Sequence, residues 1–301
     1  MFIALELGLL YAIMAIGVYL TYRVLDFPDL TVDGSFTTGA AVAAVMIMGG
    51  MPPWLTVVGA LIAGMAAGLI TGLLHVWGGI NALLAGILTQ LALYSINLRI
   101  MGVANISLLR SDTLFTPLRE AKLTGTWASV GILFVIAALI GVLVYFFLGT
   151  RYGVGIRATG DNELMAKSQG IDVGRAKLVG LSLSNGLVAL AGALVAQFQG
   201  FADISMGIGM IVAGLASVII GQAIIGRMSV WQSVLAAAVG SVLYRAIIQA
   251  ALSVGLNPND MKLVSAVLVV LALVIPSFAP LKRWKRKRFR QKAEAQMGRV
   301  A

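Results

Sequence analysis

Long apolar runs separated by short polar breaks organise this chain. A helix crossing the hydrocarbon core of a bilayer needs about 20 mainly apolar residues. Nine stretches approach that requirement: 3–22, 34–50, 54–77, 79–101, 127–149, 176–197, 206–225, 230–254 and 261–279. Gly or polar residues interrupt several of them, so the pattern predicts an all-α integral membrane protein, a polytopic bundle of about 8–10 transmembrane helices. The first stretch has no cleavage-site pattern and runs straight into further spans, which reads as a retained helix rather than a signal peptide.

The positions of Lys and Arg orient these spans, because cytoplasmic loops carry the excess of positive charge. The segment 150–177 holds Arg151, Arg157, Lys167, Arg175 and Lys177. Nine of the 22 Lys and Arg residues lie between 282 and 299. Both regions are therefore expected on the cytoplasmic side, with an even number of spans between them. Counting back places Arg23, His75 and Arg227 inside, and 102–126, 255–260 and the N-terminus outside. The stretch 23–35 is the weak point of this count, since it reads equally as a re-entrant or broken segment. The polar segment 102–126 has two open readings, a solvated loop or a ledge on which an external partner docks.

Composition reinforces the membrane reading. Hydrophobic residues make up 59% of the chain and charged residues 11%, against about 25% charged in soluble domains. The 35 glycines suit helices whose backbones approach closely in lipid. The net charge of +10 comes mostly from the tail, so it is a topology and lipid-surface signal, worth about 1 kcal/mol per cation near an anionic leaflet, rather than a nucleic-acid surface. With no Cys, disulfides, thiolate metal sites and Cys nucleophiles are excluded. His75 is the one histidine, which leaves little room for a His-based metal site, and no metal site is expected.

Soluble-enzyme motifs are absent from the sequence. It contains no GxxxxGK[ST] phosphate loop, no HExxH and no Ser-His-Asp set. Asp29 and Asp33 could be imagined as an aspartyl dyad, but neither sits in an intramembrane-protease motif. An intramembrane enzyme is therefore set aside, and no catalytic residue is assigned.

Polar residues inside apolar spans are the remaining candidates. Pro28 disfavours helix at Phe27, and Asp29, Thr31, Asp33 and Ser35 follow before a Gly- and Ala-rich run. Irregular backbone at membrane depth must be buried in protein or line water. This stretch therefore either borders a cavity or simply caps the next helix through Asp33 or Ser35. Span 79–101 carries Asn81, Gln90, Tyr94, Asn97 and Arg99. Gln90, Tyr94 and Asn97 share one helical face, which either lines a water-filled path or provides interhelical hydrogen bonds. Arg245, one turn from Gln249, must snorkel, line water or pair, with Glu6 and Asp33 as candidate partners. Ser184, Asn185, Gly186 and Gln222 are weaker pathway candidates. The candidate translocation set is thus Asp29, Asp33, Ser35, Asn81, Gln90, Tyr94, Asn97 and Asn185.

Within 150–180, Asp161 and Asn162 are good N-cap residues, Glu163–Ser168 favours helix, and Gly170 can close it in the left-handed conformation. A helix this short gains stability mainly by docking, either on lipid headgroups or in a protein groove. The segment resembles the cytoplasmic loop of ABC importer permeases of the branched-chain amino acid and ribose type. The matching residues are Gly153, Gly155, Arg157, Ala158, Gly160, Asn162, Ala166, Gly170 and Ile171. The stretches DFPDLTVDGSFTTGAAVAA (26–44) and GGINALLAGILTQLALYSINLRIMG (78–102) are similar to a single-permease subgroup of that family, associated with transport of tryptophan, tyrosine or other amino acids.

The resemblance implies a transmembrane permease domain over 1–280 and a basic cytoplasmic tail over 281–301. It also implies a coupling helix in which Arg157, Asp161, Asn162, Glu163, Ala166 and Gly170 meet an ATPase. The chain would then be a non-enzymatic subunit of an importer in a bacterial inner membrane. It would work with a second permease copy, a cytoplasmic ATPase dimer that binds ATP and Mg, and a periplasmic or lipid-anchored substrate-binding protein. No cofactor is expected in the chain itself. The competing reading is a secondary transporter driven by an ion gradient, with Asp33 as its one suitable midplane acid.

Overall fold

The computed structural model describes residues 2–226, 229–253 and 263–270. Arg227, the 255–260 loop, most of the 261–279 span and the 281–301 tail lie outside the described residues. Among the described residues seven helices are long and apolar enough to cross a membrane, and the helix Met210–Ile225 is shorter.

In chain order the elements are α1 (Phe2–Tyr19), α2 (Thr31–Met48), α3 (Pro53–Val76), α4 (Ala82–Met101), β1 (Asn105–Ser107), α5 (Thr116–Glu120), α6 (Trp127–Gly149), α7 (Arg151–Asp161), α8 (Glu163–Ser168), α9 (Val173–Gln199), β2 (Phe201–Asp203), α10 (Met210–Ile225) and α11 (Val230–Ser253). Residues 263–270 are helical. Helix α6 begins and ends where the hydropathy pattern predicts. The antiparallel pair β1–β2 is an element that pattern did not predict, because three-residue strands leave no periodic trace.

The core is built from α1, α2 and α9, whose apolar windows are mostly buried inside the protein, whereas α3, α4 and α6 bury a third or less of theirs. Exposed apolar faces are what lipid requires of outer helices. Helix α3 lies along α9, and α10 along α11. Close approach rests on missing side chains. A Cβ at Gly68 would stand 2.2 Å from the Leu181 carbonyl oxygen of α9, and one at Gly240 would stand 1.8 Å from the Ser217 carbonyl oxygen of α10. Small residues at these crossings let dispersion contacts form along whole helices, the main attraction available where lipid is as apolar as the protein.

The first span does not end as a regular helix. Leu20–Val24 is a π-helical turn, Asp26 adopts φ +52°, and Pro28 follows. The chain then turns back and α2 starts at Thr31. Asn185 of α9 contacts this segment and lies about 18 Å along a helix about 40 Å long, so the segment reaches the middle of the bundle. The 23–35 stretch is thus a break between two spans rather than a re-entrant segment, packed within protein as lipid demands.

Contacts at the two ends agree with the alternation of spans. At one end, Glu6 Oε1 accepts from Gly125 N at 2.8 Å, Arg119 donates to the Phe198 carbonyl at 2.6 Å, and β1 pairs with β2. The N-terminal end of α1 therefore lies with the 102–126 segment. At the other end, Lys177 of α9 meets Glu163 of α8 and His75 of α3.

Candidate functional site

Three polar assemblies stand out: a buried cluster at the break before α2, a loop pair at the α7–α8 end, and a cavity beside α10.

In the buried cluster, Asp29 Oδ1 accepts from Thr31 N at 2.9 Å. Its Oδ2 accepts from Asn185 Nδ2 at 2.6 Å. Ser35 donates to Asn185 Oδ1 at 2.6 Å, and Thr31 and Thr71 share a 2.8 Å hydroxyl contact. Asp29, Ser35 and Asn185 are all buried and none of them lines the cavity. Their geometry pins the start of α2 to α9 and, through Thr71, to α3.

Asp33 does something else. It sits inside the first turn of α2, and its carboxyl oxygens accept from Gly209 N at 2.9 Å and Ile211 N at 2.7 Å. It therefore caps the N-terminus of α10, where orphan N–H groups and the helix dipole favour an acid. Neither Asp33 nor Ser35 caps α2 itself, because that helix already begins at Thr31.

The face of α4 that carries Gln90, Tyr94 and Asn97 divides. Gln90 is half-buried, and Tyr94 is 51% exposed. Asn97 is buried, and its Nδ2 donates to the Gly34 carbonyl at 3.4 Å. Asn81 lies at the end of the bundle and caps α4, accepting from Leu83 N at 3.0 Å. Three residues that share an angular position on the helix thus meet three different surroundings, because α2 covers only part of α4.

At the other end, α6 runs directly into α7, which Thr150 caps. A Cβ at Gly160 would stand 2.0 Å from the Val24 carbonyl oxygen, so α7 is seated on the π-helical turn of the first span. Asp161 closes α7. Asn162 alone caps α8, accepting from Met165 N at 3.0 Å. Helix α8 ends in a Schellman motif: Ile171 N donates to the Ala166 carbonyl, Gly170 N donates to the Lys167 carbonyl, and Gly170 takes φ +77°. Ala166 is buried, whereas Arg157, Asp161, Asn162, Glu163 and Gly170 are exposed. Leu164 and Met165 are 79% and 62% exposed. Glu163 Oε1 pairs with Lys177 Nζ at 2.5 Å. Lys177 also lies 3.2 Å from His75 Nε2, while His75 Nδ1 faces the Ile80 carbonyl at 2.8 Å. The sequence did not single out Lys177 and His75 as bridging residues, and their separation of 102 residues explains why.

The third assembly is a half-open cavity of about 590 Å³ between α1, α10, α11 and the helical segment 263–270. Its walls include Tyr11, Met14, Met210, Ser217, Tyr244 and Arg245. The Arg245 guanidinium lies 3.9 Å from the centre of the Tyr11 ring, and that ring stacks on Phe36. Of Glu6 and Asp33, the candidate partners for Arg245, Glu6 meets Gly125 through Oε1 while its Oε2 is buried without a partner, and Asp33 is engaged at the start of α10. Among the described residues no ion pair involves Arg245 and no acidic or His cluster could hold a metal ion.

In the ribbon at the N-terminal end of α1, burial pushes the Asp203 carboxyl up, but hydrogen bonds from Ser205 and Asn105 outweigh it and hold the group below its ordinary value.

Comparison with known proteins follows the same architecture. Residues 1–274 match the family described as "Branched-chain amino acid transport system / permease component". The chain is 42% identical over 266 residues to the tyrosine transport system permease protein of Clostridioides difficile, covering 88% of each. In fold it is similar to a chain of PsaBC from Streptococcus pneumoniae, solved in complex with Fab, with TM-score 0.55, 16% identity and coverage of 95% of this chain and 94% of that one. It is also similar to a chain of an inward-facing metal-chelate type ABC transporter, with TM-score 0.53, 16% identity and coverage of 91% and 85%.

Proposed function

The chain belongs to the branched-chain amino acid transport system permease family, and from that premise we propose that it carries an amino acid inward across a bacterial inner membrane. As a permease of this family it is a multi-pass, non-catalytic ABC transporter subunit that associates with ATPase and substrate-binding partners. The amino-acid substrate is inferred from the tyrosine permease relative.

In this reading a second copy completes the pathway, and a pair of ATPase subunits binds ATP and Mg beneath it. An external binding protein delivers the solute to the 102–126 end. Helix α8 is the coupling helix, and the observation that carries this is its construction. Capped at both ends and seated by buried Ala166, it holds Leu164 and Met165 out into solvent, where isolated apolar side chains on a short rigid helix suit a protein groove. Movement of α8 would pass to α9 and α3 through Glu163, Lys177 and His75. The membrane subunit contributes no covalent chemistry. It offers the solute different contacts in two states, whose populations the ATPase shifts. The two backbone N–H groups at the start of α10 that engage Asp33 support a role for it as a cap over one as an ion-coupling acid.

The test is capture of the partner ATPase from nanodiscs by wild type and by a Leu164→Asp/Met165→Asp variant. Both positions are exposed, so the permease should purify normally. We expect capture by wild type and its loss in the variant. Equal capture by the two would remove α8 from the interface.

A further inference from the structure

The cavity beside α10 holds a cation in surroundings that ask for an anion. An Arg within a membrane bundle is expensive and normally paired or facing water. Arg245 rests on the Tyr11 face, a contact that orients the guanidinium but leaves its N–H donors without a carboxylate among the described residues. Neither Glu6, which meets Gly125 N through one oxygen, nor Asp33, which meets the start of α10, forms an ion pair with Arg245. Around this cation the walls are mostly apolar and aromatic, with Met14, Met210 and Tyr244, and a hydroxyl from Ser217. A volume of about 590 Å³ falls in the range of small-molecule sites, which combine apolar walls with a few placed polar groups.

We propose that this cavity is a resting site on the solute path and that Arg245 receives the carboxylate of an aromatic L-amino acid there. The planar guanidinium fork matches a carboxylate bidentately, and the Tyr11–Phe36 stack holds the fork in place. The methionines adapt to a side-chain ring. This rests on the import reading above and deepens it by naming the group that is recognised and the residue that recognises it.

The chain has no cysteine, so one introduced thiol, read on this chain, reports on the cavity. Ala213→Cys, on the cavity wall, is labelled with a thiol reagent in the assembled transporter in nanodiscs. The probes are L-tyrosine and tyramine, which share the ring and amine and differ by the carboxylate. At a concentration near twice its Kd, L-tyrosine should slow labelling about threefold. Tyramine should not, and Arg245→Gln should abolish the protection. Val212→Cys, also on the wall, is the second reporter if the first variant does not assemble. Equal protection by tyramine, protection that survives Arg245→Gln, or no protection in a complex that still imports L-tyrosine overturns the site and leaves the import reading standing. Failure of the wild-type complex to import L-tyrosine with ATP overturns the reading on which the site rests.

Discussion

Asn185→Leu tests whether the buried cluster holds α2 in place. The substitution nearly preserves volume but removes an amide that donates to Asp29 at 2.6 Å and accepts from Ser35 at 2.6 Å. It strands two polar groups, a buried carboxyl oxygen and a buried hydroxyl. Leaving such a group unsatisfied costs about 1–3 kcal/mol, while interhelical hydrogen bonds measured in membranes average about 0.6 and reach about 1.7 kcal/mol. The carboxyl belongs near the upper end, because Asp29 is only 3% exposed and has no water to turn to. The expected loss is about 3 kcal/mol. In an Asp29→Leu background no carboxyl is left to strand, and the same change should cost about 1 kcal/mol. The pair then shows a coupling near 2 kcal/mol, within the range for residues in direct contact. Unfolding free energies from SDS titration in mixed micelles supply all four corners of the cycle. A coupling below about 0.5 kcal/mol would refute the reasoning, since Asn185 and Asp29 would then act independently.

Two further outcomes follow from the packing. Asp33→Ala should cost about 1–2 kcal/mol, the value of a helix cap, and speed hydrogen exchange at Gly209 and Ile211, while import stays independent of an imposed proton gradient; gradient-dependent import would restore Asp33 as an ion-coupling acid. Gly68→Ala should destabilise by about 1–3 kcal/mol, because its new methyl meets the Leu181 carbonyl, whereas Gly131→Ala, with open space around its Cβ, should be neutral in the same titration.

Local features of this architecture were legible in the sequence and distant ones were not. Helix α6 is an uninterrupted apolar run whose ends coincide with the change to polar residues, so hydropathy located it. The α8 signals lie within ten residues of one another: Asn162 at one end and Gly170 at the other. The break before α2 was legible through Pro28 and the acids around it, although the partner of those acids was not. Asp33 finds its donors 176 residues away at Gly209, and no local pattern encodes that meeting. Arg245 shows a different shortfall. Charge logic sought a carboxylate, whereas the structure supplies the face of Tyr11, because an aromatic ring orients a cation without leaving any mark in the charge pattern. The polar face of α4 was correctly periodic, yet periodicity cannot say how much of a helix its neighbour covers.

The pairing of Ser35 with Asn185 also sets an order of events during synthesis. The two residues are 150 positions apart, a length that a ribosome covers in about 8 to 30 s. Throughout that interval Ser35 of α2 and Asp29 in the break before it enter the bilayer with no amide to receive them. The nascent chain must shelter this end at the insertion machinery until α9 emerges. The third core helix therefore completes the second, and chains truncated before Asn185 should be the ones that membrane quality control removes fastest.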